Sequence, residues 1–322
     1  MATFFSYSGF NIDTLDFSAA LQGSHTTTTL DGSSLPLDLP AIGIGSTDYQ
    51  LPAHTFIFES AIRVTVSDTA NGEVLGGDGF AFDAFGELIG GTATVLATLT
   101  EGHLEMAVAG FAISAVALGN AAKSVTTVDD RNLFHSIFAG NDLIVTSAFN
   151  DTFDGGAGKD LICDLGGNDV LSGGDGTDLI IAGKGADRMN GDAGNDLILG
   201  GAGNDRIRGG TGADNIWAGT GSDTVAGGSG RDVFLFKSGD GADHIADFTA
   251  ADDQIRFIGP AFGLGNLHMR QVGADLKITF ADVTVILDNT LRSSVTLADF
   301  DIGGSGAVQD AAHRFFDGWD YA

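Results

Sequence analysis

The chain is poor in cysteine, proline and basic residues, and each shortage excludes something. Its one cysteine, Cys163, closes no internal disulfide, and neither a Cys₄ nor a Cys₂His₂ zinc site can be assembled. With 4 prolines against 49 glycines, the composition is not that of a proline-rich, charge-dense disordered chain. Lys and Arg number 15 against 43 Asp and Glu, a formal net charge of −28. That excess argues against nucleic acid or an anionic membrane as partner, because both would be repelled; a metal cation suits it. Long hydrophobic runs are missing too. The most apolar stretch, residues 106–118, is broken by Gly110 and Ser114 and falls short of the roughly 20 residues that span a bilayer. A soluble chain without membrane insertion is expected. The start, Met1-Ala-Thr-Phe-Phe-Ser6, has neither a basic n-region nor an apolar h-region, so no Sec-type signal peptide is expected. The histidines His25, His54, His103 and His135 are scattered, and neither a His-Glu-x-x-His nor a Gly-x-Ser-x-Gly motif occurs.

What the chain does have is glycine and aspartate in strict phase. Residues 137–235 divide into eleven consecutive nonamers without an insertion. Among the clearest are Gly155-Gly-Ala-Gly-Lys-Asp-Leu-Ile-Cys163 and Gly173-Gly-Asp-Gly-Thr-Asp-Leu-Ile-Ile181. The sixth position is Asp throughout: Asp142, Asp151, Asp160, Asp169, Asp178, Asp187, Asp196, Asp205, Asp214, Asp223 and Asp232. The eighth is always apolar, from Ile144 to Phe234, and the fourth is Gly except at Phe149. Six residues make a turn and three a short strand. One inward aliphatic per strand cannot form a core by itself, so successive turns must stack and share one. Glycines at the first, second and fourth positions allow close backbone approach and aim carbonyl oxygens at one point. With the Asp carboxylate, the loop offers only oxygen donors, which suits Ca²⁺ and its 6–8 ligands and suits zinc or copper poorly. The competing reading is that Asp only caps backbone amides. Stacked carboxylates without a cation would then repel, and no row of Lys or Arg compensates them.

This pattern resembles the RTX proteins, the hemolysin-type calcium-binding family of bacteria secreted by type I machinery; it is the nonapeptide calcium repeat in its general form. The resemblance implies an all-β fold, a parallel β-roll with two nonamers per coil and several Ca²⁺ ions between loops n and n+2. One loop would offer the carbonyls of its second and fourth residues with its Asp. The other would offer the carbonyls of its first and third with its Asp. In the odd-numbered loops this implies Gly156, Gly158 and Asp160 with Gly173, Asp175 and Asp178, then Gly174, Gly176 and Asp178 with Gly191, Ala193 and Asp196. By the same rule Asp192, Gly194 and Asp196 would face Gly209, Thr211 and Asp214. Gly210, Gly212 and Asp214 would face Gly227, Ser229 and Asp232. In the even-numbered loops, Gly183, Gly185 and Asp187 would face Gly200, Ala202 and Asp205, and Gly201, Gly203 and Asp205 would face Ala218, Thr220 and Asp223; Asp142 and Asp169 belong to earlier loops. The even row starts poorly, with Thr146-Ser-Ala-Phe-Asn-Asp151 and Asp164-Leu-Gly-Gly-Asn-Asp169 lacking the first two glycines. One edge is therefore expected to bind calcium along nearly its whole length, the other to be well formed from about Gly183 to Asp223. Extracellular calcium modules have Kd of roughly 10⁻⁴–10⁻³ M, so such a roll would be empty in cytosol, filled outside, and secreted as an unfolded chain. Binding and folding would be one process.

The flanks say less. Residues 1–125 read as a β-rich domain, with Thr55-Phe-Ile-Phe58 and Ile62-Arg-Val-Thr-Val66 alternating like strands and Gly76, Gly77, Gly79, Gly86, Gly90 and Gly91 punctuating others. Gly76-Gly-Asp-Gly79 mimics a repeat start but has Ala81 at its sixth position, so a plain turn is expected. Residues 126–136 read as a short helical lead-in. From 236 to 322 a C-terminal β cap is expected, with Leu276-Lys-Ile-Thr-Phe280 and Val283-Thr-Val-Ile-Leu287 as paired strands closing the roll. The tail to Ala322 is similar to the family's secretion region. Cys163 ends a repeat and is expected as an outward surface thiol. Glu101, His103 and Glu105 are either solvated positions or an acid/base group. Two functions follow: a non-catalytic secreted calcium-binding protein with a surface, matrix or adhesion role, or a small hydrolase or lyase with residues 1–125 catalytic and the roll as its calcium-dependent folding aid.

Overall fold

The computed structural model describes residues 3–6, 25–29, 34–37, 41–44, 47–50, 54–57, 61–66, 72–82, 88–100, 103–114, 136–250, 252–258 and 267–302. Backbone contacts divide the chain into two compact units, Met1–Ala41 with Gln50–Ala148, and Ile42–Tyr49 with Phe149–Ala322. Among the described residues no helix is long and apolar enough to cross a membrane.

In the first unit every described element before residue 115 is a strand. His25–Thr29, Ala61–Val66, Gly72–Phe82, Leu88–Thr100 and His103–Ser114 follow one another in an antiparallel sheet, which Thr3–Ser6 extends. Ser34–Leu37 pairs antiparallel with His54–Ile57. Gly76-Gly-Asp-Gly79 is not a turn: it lies inside Gly72–Phe82, where the register slips between Gly76 and Gly77 and again after Asp78. Glycines break a ladder into bulges as readily as they end one, and Gly90 and Gly91 likewise sit within Leu88–Thr100. Of the helical lead-in, residues 126–135 lie outside the described residues, as do Glu101, His135 and the tail from residue 303; Ser136 and Ile137 are helical.

The second unit is a parallel β-roll. Strands Leu161–Cys163, Leu179–Ile181, Leu197–Gly203, Asn215–Gly221 and Val233–Lys237 stack in one sheet, in the register Leu161↔Leu179↔Leu197↔Asn215↔Val233. The facing sheet is Thr152–Asp154, Val170–Gly176, Arg188–Ala193, Arg206–Thr211 and Thr224–Ser229. Partners are eighteen residues apart, so one coil is two nonamers, each half-coil feeding the opposite sheet. Between the sheets lie the eighth-position side chains Phe153, Ile162, Leu171, Ile180, Met189, Ile198, Ile207, Ile216, Val225 and Phe234, all buried. Replacing Ile198, which is 0% exposed, by Ala is expected to cost about 2–5 kcal/mol, measured by urea denaturation of the calcium-saturated protein.

The outer faces of the two sheets differ. On the first, Leu161, Cys163, Leu179, Leu197 and Leu199 are buried; on the second, Val170, Arg188, Arg206, Arg208 and Thr224 are exposed. Cys163 is thus not a surface thiol. It points away from the core as its ninth position requires, yet it is buried along with its neighbours on that face, and burial, reinforced by the Asp164 carboxylate, pushes its pKa up to about 12. The folded protein is expected to leave Cys163 unmodified by a maleimide at neutral pH and to react only on denaturation, read by mass spectrometry.

The roll does not stop at the last nonamer. Val233–Lys237 pairs parallel with Gln254–Ile258, which pairs with Phe300–Ile302, and Thr224–Ser229 pairs with Ala242–Ile245, which pairs with Val283–Leu287. Val283–Leu287 then turns antiparallel to Asp275–Phe280, and that strand to Leu267–Val272. Aromatic rings fill this end: Phe257 meets Phe280 edge-on at 4.6 Å, Phe236 at 5.8 Å and Phe300 at 6.4 Å.

Candidate calcium site

The turns line the two edges of the roll, and the sixth-position aspartates form a ladder along each. In the odd row, the backbone N–H of Asp160 donates to Oδ1 of Asp178 at 2.8 Å, Asp178 to Asp196 at 2.8 Å, Asp196 to Asp214 at 2.9 Å and Asp214 to Asp232 at 3.0 Å. In the even row the chain of donors runs Asp151, Asp169, Asp187, Asp205, Asp223. These carboxylates are 0–2% exposed. Asp169, Asp178, Asp187, Asp196, Asp205, Asp214, Asp223 and Asp232 each cap an amide, as the competing reading held, but with one oxygen. Oδ2 of Asp169, Asp178, Asp187, Asp196, Asp205, Asp214, Asp223 and Asp232 makes no hydrogen bond. An ionised buried oxygen without a partner is strongly unfavourable. Burial, reinforced by neighbouring carboxylates and opposed by the amide bond, pushes Asp196 up to about 8 and Asp178 and Asp187 up to about 7. Burial likewise raises Asp205 and Asp214 to about 6.

Glycine lets carbonyl oxygens reach the same gaps. A Cβ on Gly174 would lie 1.9 Å from the Gly156 carbonyl oxygen, and one on Gly176 would lie 1.4 Å from that of Gly158. Both glycines have positive φ, 97° and 150°. The pattern repeats up the roll: the carbonyls of Asp192, Gly194, Gly210 and Gly212 in the odd row, and of Gly183, Gly185, Gly201 and Gly203 in the even row, face the next coil. The first-position carbonyls of Gly173, Gly191, Gly209, Gly227 and Ala218 face back toward Gly155, Gly173, Gly191, Gly209 and Gly200. The structure therefore brings the second-, fourth- and first-position carbonyls and the Asp ladder to the same gaps between coils. Of the third-position residues, the N–H of Asp175 and Ala202 donates to the carbonyls of Gly156 and Gly183 at 2.7 and 2.9 Å. The carbonyls of Ala202, Thr211 and Ser229 accept from Gly185, Gly194 and Gly212 at 2.8 Å each. Asp142 is buried, and Asp192 holds a positive φ of 69° where the other odd-row loops from residue 155 onward carry Gly.

Buried unpartnered carboxylate oxygens, converging carbonyls and an all-oxygen donor set fit Ca²⁺. Bound there, the ion supplies the positive charge that lets the carboxylates stay ionised; the chain's own residues position the oxygens and keep water out.

The two rows differ where glycines are missing. The atom nearest an ideal Cβ on Gly183 is the Asp164 carbonyl oxygen, at 3.0 Å, where the rest of the row presents a second-position carbonyl. Phe149 and Leu165, at fourth and second turn positions, are 62% and 41% exposed.

A twelfth loop escaped the reading of the nonamers. Ser238-Gly-Asp-Gly-Ala-Asp243-His-Ile245 has the same Gly, Gly, Asp and Ile positions, shifted by two residues. Asp223 N–H donates to Oδ1 of Asp243 at 2.9 Å, Gly221 N–H donates to the Asp240 carbonyl at 2.8 Å, and Oδ2 of Asp243 is unpartnered. Trp217 Nε1 donates to Asp240 at 2.9 Å, pinning the loop. The odd row ends on Asp253, which accepts from Asp232 N–H at 3.0 Å and from Thr249 N–H at 2.8 Å, so both its oxygens are satisfied. Asp247 accepts from the N–H groups of Gly227 and Gly228 at 2.9 and 3.0 Å. Ladder spacing here is 20 and 21 residues, which is why a strict nine-residue phase does not reach them.

A match to a protein-family model agrees with this geometry. The RTX calcium-binding nonapeptide repeat (4 copies) family matches residues 137–163, 165–198 and 199–234. No curated protein matches the chain. Among solved structures, the extracellular lipase LipA from Serratia marcescens is similar at 16% identity with a TM-score of 0.24, over 50% of this chain and 38% of the lipase. The AlgE6R3 subunit of the Azotobacter vinelandii mannuronan C5-epimerase is similar at 25% identity with a TM-score of 0.27, over 42% of this chain and 77% of that subunit. The chain thus spans well under half the length of the lipase. Residues 137–234 match the model of the RTX calcium-binding nonapeptide repeat, a repeat that binds Ca²⁺, and the stacked buried Asp ladder is consistent with such sites.

Proposed function

We propose that the chain is a secreted RTX protein whose roll folds on Ca²⁺ outside the cell and which has no catalytic activity of its own, serving a surface, matrix or adhesion role. Residues 1–125 are its binding or assembly module, and 236–322 carry the cap and the region read by type I secretion machinery. The ligands are those of the odd and even rows named above. The observation that carries this reading is the buried ladder of unpartnered Oδ2 atoms: the oxygens converge only in the rolled state, so ion binding and folding are coupled. A millimolar-affinity site, typical of extracellular calcium modules at roughly 10⁻⁴–10⁻³ M, favours export before folding. The lack of His-Glu-x-x-His and Gly-x-Ser-x-Gly motifs favours the non-catalytic role.

The test is a calcium titration of chelator-stripped protein followed by far-ultraviolet circular dichroism and calorimetry. A cooperative gain of β structure near millimolar Ca²⁺, absent with Mg²⁺, is expected. A spectrum already folded and indifferent to calcium would refute the calcium-folded reading. For the role, hydrolase or lyase activity lost on Glu101→Ala, His103→Ala or Glu105→Ala would overturn the non-catalytic assignment.

A further inference from the structure

One cluster departs from the repeat chemistry. Asp151, Asp164 and Asp169 each place a carboxylate oxygen within 4.8 Å of the other two, and all three are buried, at 2%, 3% and 0% exposure. Asp151 and Asp169 hold the sixth position of successive even-row loops. Asp164 holds the first position, which is Gly in every odd-row loop from 155 onward. Asp169 accepts from Asp151 N–H at 2.7 Å through Oδ1, while its Oδ2 is buried and has no hydrogen-bond partner. Asp164 Oδ1 accepts from Gly166 N–H at 2.5 Å. The loops that meet here lack their first and second glycines, and the earlier one carries Phe149 at the fourth position. The Phe149 carbonyl oxygen still faces the next coil, 2.4 Å from an ideal Cβ on Gly167. To these donors Asp164 adds a third carboxylate, at a position where the odd-row loops offer only backbone.

We propose that Asp151, Asp164 and Asp169 form a three-carboxylate divalent-cation site at the start of the even row, binding Ca²⁺ more tightly than the two-carboxylate gaps. The inference rests on the reading of the roll as a calcium array and deepens it. Ligand charge is a main determinant of calcium affinity in oxygen sites, and three buried carboxylates without a cation would repel one another strongly. The end of the even row with the fewest glycines is therefore the part that fills first, and rolling begins there.

The test is isothermal titration of the full-length, chelator-stripped chain with Ca²⁺, comparing wild type with Asp164→Asn and Asp164→Gly. Asn keeps an acceptor for Gly166 N–H and removes the charge; Gly restores the residue of the odd-row loops. Wild type is expected to show one tight ion ahead of a weaker class. Both variants are expected to weaken that ion by roughly tenfold or more, the order set by losing one ligand charge. The weaker class and the calcium-saturated circular dichroism spectrum stay unchanged. A tight ion that survives both substitutions, or a wild type with a single class identical to the variants, overturns this inference while leaving the array intact. No calcium binding by wild type overturns the array reading itself. If Asp164→Asn does not roll, Asp164→Gly supplies the comparison.

Discussion

Gly194→Ala is expected to abolish the calcium-folded roll, with a loss above about 4 kcal/mol, beyond the range of ordinary point substitutions. The added Cβ would sit 1.3 Å from the Gly176 carbonyl oxygen, at a φ of +144° that alanine rarely adopts. Neither fault relaxes easily. The clash is with backbone held by the ladders on both sides, and the Gly194 N–H is itself bonded to the Thr211 carbonyl at 2.8 Å. Moving the loop aside would pull a carbonyl from one gap and open the next. Gly140→Ala is the control, since nothing lies within 4 Å of a Cβ there and its φ is unexceptional. Circular dichroism at saturating calcium should show Gly140→Ala folded and Gly194→Ala without its cooperative transition; a folded Gly194→Ala would contradict the close approach of the coils.

The second large effect is a pH dependence that reverses when calcium is added. In the metal-free roll Asp196, Asp178 and Asp187 titrate near 8, 7 and 7, against 3.8 for the exposed carboxyl of an unfolded chain. A carboxyl with a raised pKa binds more protons folded than unfolded. Its stabilisation is complete below about pH 3.8 and is lost as pH climbs through 7 to 8. Every tenfold difference in proton affinity between the folded and unfolded chain corresponds to about 1.4 kcal/mol. Water near the turns screens part of that, yet three such groups together still suffice to unfold a marginal roll at neutral pH. The calcium-free protein, prepared over a chelating resin, is therefore expected to hold more β structure by circular dichroism at pH 5 than at pH 8. With excess Ca²⁺ the order inverts, because the ion binds the ionised carboxylate and releases its proton. A calcium-free β signal that grows from pH 5 to pH 8 would contradict the buried, protonated ladder.

Much of the roll was legible because its repeat obeys one local rule per position. The sixth-position Asp and eighth-position aliphatic of each nonamer, such as Asp196 and Ile198, need no knowledge of distant residues to be recognised. The register Leu179↔Leu197 and the antiparallel pairing of Leu276 with Leu287 follow from that phase and from alternation. What was missed depends on neighbours rather than on phase. Cys163 occupies an outward position, yet the outer face it shares with Leu161, Leu179 and Leu199 is buried. Loop 238–243 carries the repeat chemistry but is displaced by two residues, a step the cap absorbs through Asp240 and Trp217. Asp164 reads as a defect, a missing glycine, until the fold sets it beside Asp151 and Asp169. Gly76 and Gly77 read as a turn, because glycine alone does not distinguish a bulge from a break.

The unlike outer faces of the two sheets set a rule for how such an array can change in length. Removing or adding eighteen residues returns every strand to its own sheet, with Leu still above Leu on one side and Arg still above Arg on the other. Removing nine keeps every Asp and every eighth-position aliphatic in phase, yet exchanges the sheets beyond the cut. The water-avoiding face would then continue into Arg188, Arg206 and Arg208, and the chain end would arrive on the wrong side to meet its cap. Insertion or deletion of whole coils is expected to leave the roll foldable and of half-coils to break it, read by calcium-dependent circular dichroism, although the nonamer is the unit that repeats.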